Sequence, residues 1–167
     1  MRGKVLDTKW KLTKEDPATP NWDEIKNKDW EDLRMATYSA QIEQMDRGIG
    51  KIIDKLKSIG EFENTVIMFA ADNGGCAEFL AEDTNQPNPN QFNNPGPDGK
   101  KVNFGNIPNL RPGPADTFMS YDLPWANLSN TPFRLFKRWV HEGGISTPFV
   151  IHWPDKISSH NVVNEPV

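Results

Sequence analysis

One stretch constrains this chain more than any other: Val66-Ile67-Met68-Phe69-Ala70-Ala71, an unbroken apolar run that ends in Asp72-Asn73-Gly74-Gly75. The run is too short for a globular helix and rich in strand formers. It predicts a strand buried on both faces, as in a parallel sheet covered by helices. In open parallel sheets, ligands sit beyond the carboxyl ends of the strands, which places Asp72 and Asn73 where such a fold does its chemistry. Both offer hard oxygen donors, the kind that Ca²⁺ and Mg²⁺ prefer. Gly74 and Gly75 permit a sharp turn, including through positive φ, and leave room for a ligand. The same residues also read as an ordinary Asn-Gly turn closing a strand, and taken alone the stretch favours that reading.

The flanking pattern supports an α/β unit. From 29 to 60, Tyr38, Ile42, Met45, Ile49, Ile52, Ile53 and Leu56 recur at steps of three and four, drawing one apolar stripe of a helix. Gly60 is placed to stop that helix, with Lys55 and Lys57 near its negative end. Gly48 and Gly50 inside it each cost about 1 kcal/mol against Ala, and mark a close neighbour or a tolerated weakness. Gly48-Ile49-Gly50 is not a nucleotide loop, since no strand precedes it. A second apolar run, Phe149-Val150-Ile151-His152-Trp153, predicts another buried strand. Before the helix, residues 1–28 form a polar lead-in anchored by Trp10 and Trp22, with Trp30 just beyond; it suits lying along another surface better than building a core.

Composition narrows the partners. With 19 basic and 23 acidic residues, net charge −4 and no basic run, the chain lacks the positive footprint of a nucleic-acid binder. No apolar stretch reaches the length of a membrane span, and no apolar segment follows Met1-Arg2-Gly3-Lys4 as in a signal peptide. A single cysteine, Cys76, excludes an internal disulfide and leaves the compartment open. A hydrophobic fraction of 36% and a mean hydropathy of −0.68 are low for a self-contained domain. Nine of the 14 prolines lie between Pro87 and Pro132, which predicts a long irregular loop over 76–130 carrying aromatic pins at Phe92, Phe104, Phe118, Tyr121 and Trp125.

Four stretches, taken in order, resemble one known family. Tyr38 to Gly50 resembles the helix before a metal-bearing strand, and Phe69 to Glu78 resembles that strand with its Asp-Asn-Gly end. Trp125 to Arg134 resembles the segment leading back to the active site. Lys137 to Pro148, with its Glu-Gly-Gly and closing proline, resembles a sulfate-contacting loop. The set is similar to the sulfatases, the arylsulfatase branch of the alkaline-phosphatase-like superfamily. The resemblance implies a partial three-layer α/β/α sandwich whose incomplete sheet is interrupted by a long irregular insertion. It implies one partial domain over 1–167: lead-in 1–28, helix 29–60, strand and metal turn 65–75, long loop 76–130, sulfate-contact loop and strand 131–154, tail 155–167.

Two departures qualify the resemblance. The family's nucleophile is a formylglycine made from Cys or Ser in a Cys/Ser-x-Pro-x-Arg sequence. None occurs here, since Cys76 is followed by Ala77-Glu78-Phe79. The upstream metal-binding acids, active-site histidines and a second lysine also lack counterparts. The chain therefore reads as an internal or C-proximal piece of the catalytic domain, without turnover by itself.

In a sulfatase the hydrated formylglycine attacks sulfur and an alcohol leaves, while a divalent cation, most often Ca²⁺, polarises the sulfate. By the resemblance, Asp72 and Asn73 are metal ligands. Lys137 is the catalytic lysine that contacts the sulfate, a task suited to a compact ammonium charge. Two ligands fall short of the roughly six to eight oxygens Ca²⁺ takes, so this chain alone is expected to hold Ca²⁺ (or Mg²⁺) weakly or not at all. His141 is expected at the rim of the substrate pocket. Glu142-Gly143-Gly144 is expected to form a tight turn, with Glu142 orienting backbone or Lys137. His152 reads as a satisfied core histidine, Asp46 as a hydrogen-bond partner within the helix, and Arg134 as either an anion guide or a structural residue. Without the resemblance, Lys137 is most simply a solvated surface lysine.

Two other readings compete. One is a non-catalytic binding or assembly module on the same scaffold, whose strand edges and unfinished core favour docking or self-association. The other is a phosphodiesterase or phosphatase of the same superfamily, which Asp-Asn-Gly disfavours because phosphatase-type sites lean on more acids and histidines. The partner implied by the resemblance is a sulfate ester, carbohydrate or aryl, with neither nucleic acid nor membrane, in a periplasmic or extracellular setting.

Overall fold

The computed structural model describes residues 12–14, 16–80, 95–158 and 162, so the aromatic anchors at Trp10 and Phe92 lie outside the described residues. In chain order it contains α1 (Lys28–Ser58), β1 (Ile67–Ala70), β2 (Asn103–Phe104), β3 (Thr117–Phe118), α2 (Asp122–Ser129), α3 (Glu142–Ile145) and β4 (Phe149–His152), with a 3₁₀ turn over Trp22–Glu24. The mixture of helices and small sheets is α/β in kind. Contacts divide it into two compact units: the first holds 1–41 and 72–147, the second 42–71 and 148–167.

The first unit is organised by polar groups. Trp30 is buried, and its indole N–H donates to the Leu110 carbonyl at 2.8 Å. One turn on, Arg34 is 5% exposed, its guanidinium 4.6 Å from the centre of the Trp30 ring. Arg34 donates to Glu31 at 2.8 Å, to Asp122 at 2.6 Å and to the Ser120 carbonyl. A buried guanidinium survives only when such partners offset its lost hydration. Fully buried Asn106 accepts from the Ser120 N–H and donates to the Ser120 hydroxyl, both at 3.0 Å.

Of the 76–130 segment, residues 76–80 and 95–130 are described, and this part holds regular structure. It supplies β2 and β3, a parallel pair with Phe104 and Phe118 stacked at 5.0 Å, and all of α2. Pro124 sits in the first turn of α2, where a missing N–H breaks no helical hydrogen bond. Two described residues of the lead-in meet later parts of the same unit: Thr13 donates to the Pro132 carbonyl at 3.0 Å, and Trp22 meets Trp125 with ring centres 5.8 Å apart.

The second unit holds the later part of α1 with β1 and β4. The helix stops as expected. Gly60, at φ 76°, lets its own N–H reach the Lys57 carbonyl and lets the Glu61 N–H reach Leu56, both orphan acceptors of the last turn. Where a Cβ on Gly48 or Gly50 would stand there is nothing within 4 Å, so both are tolerated weaknesses rather than contact sites.

The strands depart from expectation. β1 pairs with β4 antiparallel, Ile67 opposite His152 and Ala70 opposite Phe149. Neither strand is buried on both faces, with Met68 65% and Val150 54% exposed. An apolar run records how much surface a segment needs covered, but not the direction of its neighbour or what covers it. The helix stripe behaves likewise, with Ile42, Met45 and Ile52 exposed. His152 is not the satisfied core histidine expected: its buried Nε2 has no partner among the described residues, and its ring lies 5.2 Å from Phe62. The Asp46 side chain is exposed and makes no hydrogen bond among the described residues, so it is not the helix hydrogen-bond partner expected.

Candidate functional site

The turn that opens the second segment of the first unit, Asp72 to Gly75, is held by backbone bonds. Gly74 N–H donates to the Gly144 carbonyl at 3.0 Å, and the Gly75 carbonyl accepts from Lys137 N–H at 3.0 Å. Asn130, the C-cap of α2, ties both pieces together: its Oδ1 accepts from Gly75 N–H at 2.8 Å and its Nδ2 donates to the Leu135 carbonyl at 2.9 Å. Gly143 N–H closes the loop onto the Arg134 carbonyl at 2.9 Å.

Close approach, rather than positive φ, explains the glycines. Neither Gly74 nor Gly75 lies in the left-handed region. A Cβ on Gly74 would run into the Gly143 carbonyl, and one on Gly143 into the carbonyls of Arg134 and Leu135. Two main chains pass each other here with no space for a methyl group.

Lys137 stands between two strained residues, Leu135 at φ 63° and Arg138 at φ 89°. Such backbone costs on the order of 1–3 kcal/mol per residue and persists where neighbours over-determine it. Its ammonium lies 3.5 Å from Glu78, with the lysine side chain 39% exposed. The acid facing Lys137 is therefore Glu78, not Glu142. Glu142 is exposed at the start of α3, a single helical turn, and its carbonyl accepts from Ser146 N–H at 2.8 Å. His141 is exposed, and its carbonyl accepts from Gly144 and Ile145 at 2.7 and 3.1 Å. Arg134 is exposed and contributes its carbonyl to the loop.

Asp72 is exposed and makes no hydrogen bond among the described residues. Half-buried Asn73 donates from its amide nitrogen to the Gly74 carbonyl at 2.8 Å, which leaves its side-chain oxygen as the open donor atom. One carboxylate and one amide oxygen fit the preference of a hard divalent cation. They do so as part of a larger set: among the described residues no group of three or more His, Cys, Asp or Glu could hold a metal.

Three contributors escaped the sequence. In the sequence Asn130 is one of several polar residues between Trp125 and Arg134, and Glu78 is one acid at the end of the Phe69–Glu78 segment. Tyr121 looked like a loop pin, yet its hydroxyl oxygen lies 2.6 Å from where a Cβ on Gly75 would stand. Burial pushes that hydroxyl above the ordinary phenol range, partly opposed by a hydrogen bond with Ser129. No helix among the described residues is long and apolar enough to cross a membrane.

Comparison with known proteins gives one consistent answer. The sulfatase family model matches residues 10–167. An uncharacterised sulfatase of Schizosaccharomyces pombe is 32% identical over 153 residues, covering 89% of this chain and 25% of that protein. An arylsulfatase of Klebsiella aerogenes is 31% identical, covering 83% of this chain and 29% of its own length. A steryl-sulfatase of Mus musculus is 26% identical, covering 77% and 14% respectively. The chain thus spans between 14% and 29% of the length of these curated relatives.

Proposed function

The chain belongs to the sulfatase family, and from that premise we propose that it supplies one side of a sulfate-ester hydrolase site within a single partial domain of three-layer α/β/α type. The observation that carries the proposal is the double tie of Lys137, whose backbone N–H bonds Gly75 and whose ammonium reaches Glu78, both in the segment that begins with Asp72 and Asn73. A cation and a pair of hard oxygen donors are thereby built on one hydrogen-bonded cluster.

Asp72 and Asn73 would hold a divalent cation, Ca²⁺ or Mg²⁺, together with ligands from outside this chain. When bound, that ion supplies Lewis acidity toward the sulfate. Lys137 offers its ammonium to the sulfate oxygens, where negative charge grows as the S–O bond to the alcohol breaks. His141, at the start of α3, borders the substrate. The formylglycine nucleophile also comes from outside, because no Cys/Ser-x-Pro-x-Arg sequence is present. The names of the relatives support an aryl or steryl sulfate as substrate, and family habit supports a periplasmic or extracellular setting.

The test is hydrolysis of an aryl sulfate by this chain alone, then by the chain joined to a formylglycine-bearing upstream part. Turnover is expected only in the longer protein, where Lys137→Ala lowers kcat by roughly 10²–10³-fold. Full activity of the Lys137→Ala protein would remove the lysine from the site. Calorimetry on the chain alone is expected to show weak or no Ca²⁺ binding; micromolar affinity lost in Asp72→Ala would contradict the shared-ligand proposal. A second reading, docking or self-association, draws on the exposed apolar residues of the second unit, among them Met68, Phe69, Val150 and Ile151. Sedimentation showing only monomer across the micromolar range would end self-association.

A further inference from the structure

The first unit holds a cavity of about 410 Å³ that none of these roles uses. Its walls include Arg34, Tyr38, Cys76, Glu78, Phe118 and Tyr121. The size falls within the roughly 300–1,000 Å³ of small-molecule sites, which are mostly apolar with a few placed polar groups.

Its charges decide what can enter. The Arg34 guanidinium is already committed to Glu31, Asp122 and the Ser120 carbonyl, so it offers no spare charge to an anion. Two of the hydroxyls are also engaged: Thr37 donates to the Leu33 carbonyl, and Ser120 is held by Asn106. The other charged wall is the Glu78 carboxylate, which repels anions. Beside the Gln41 amide and the Thr117 hydroxyl, which donates to the Pro114 carbonyl at 2.8 Å, the rest of the wall is mostly apolar: Tyr38 and Tyr121, stacked on each other at 4.7 Å and 19°, with Phe118, Leu80 and Met119. Such walls favour a flat, neutral ring.

The cavity is not separate from the lysine. Glu78 lines it and pairs with the Lys137 ammonium at 3.5 Å. Tyr121 lines it, with its hydroxyl 2.6 Å from where a Cβ on Gly75 would stand, and the Gly75 carbonyl accepts the Lys137 N–H. We propose that this cavity seats the neutral aromatic alcohol portion of a sulfate ester whose anionic end is taken by Lys137. The sulfate half rests on the hydrolase reading above; the ring half rests on the cavity alone.

Naphthol and naphthyl sulfate, titrated into the chain and followed by amide NMR, separate the two halves. Naphthol is expected to bind saturably. Gln41→Trp, at an exposed position lining the cavity, is expected to weaken it by about tenfold or more with the native spectrum retained. Tyr38→Leu, which removes a ring but keeps apolar volume, should act in the same direction. Naphthyl sulfate is expected to bind more tightly than naphthol, and Lys137→Ala to remove that increment. Absence of saturable naphthol binding, or binding that both cavity variants leave intact, overturns the proposal. A sulfate increment that survives Lys137→Ala overturns the coupling to the ammonium. Failure of the longer protein to hydrolyse aryl sulfates, with these binding results intact, sinks the hydrolase reading and leaves the cavity assignment standing.

Discussion

The two units solve opposite problems. In the first, the groups that need explaining are polar and buried: Arg34, Asn106 and the Asn130 bridge, each with named partners. In the second no described residue is buried, and Ile52, Met68, Val150 and Ile151 stand exposed, although the first also exposes apolar side chains such as Phe79, Trp139 and Val140. A buried polar group costs heavily if any partner is lost, so its geometry is strongly specified. An exposed apolar side chain specifies nothing until something covers it. The candidate site lies wholly in the unit whose geometry is set by hydrogen bonds, which suits chemistry that needs fixed donor positions.

The sharpest way to break that contrast is Arg34→Ala. Removing one partner from a buried ion pair costs about 3–5 kcal/mol, because Glu31 and Asp122 are left without compensation. Hydrogen exchange read by mass spectrometry should show protection lost across 102–122 and retained in 49–58; equal loss in both would refute separate organisation. Next in size is Gly74→Ala, which sets a methyl group against the Gly143 carbonyl and is expected to cost about 3 kcal/mol in urea unfolding. A cost near zero would mean that the two main chains do not meet as described.

The second unit should respond with the opposite sign. Gly48→Ala meets nothing within 4 Å in the middle of α1 and is expected to stabilise by about 0.5–1 kcal/mol. Destabilisation there would reveal a neighbour close to the helix. The smallest effect is alkaline. Burial raises the Tyr121 phenol, so the folded chain keeps that proton to higher pH than the unfolded chain. The associated stability is fully present below the unfolded phenol value of about 10 and is lost as pH rises through the raised folded value. Urea unfolding of wild type and Tyr121→Phe should therefore diverge only above about pH 10, the wild type losing the more.

Periodicity and punctuation were enough for the long helix, its stop at Gly60 and the two apolar strands, because these signals are local. The ordered set of motifs was likewise enough to point to the family. Local signals could not decide that β1 and β4 run antiparallel, since an apolar run is silent on its partner. Nor could they show that Glu78 rather than Glu142 faces Lys137, or that Asn130 joins the turn to the lysine loop across five and 55 residues of chain. Those contacts are chosen by which backbone groups must find partners once the chain is packed, and that choice exists only in three dimensions.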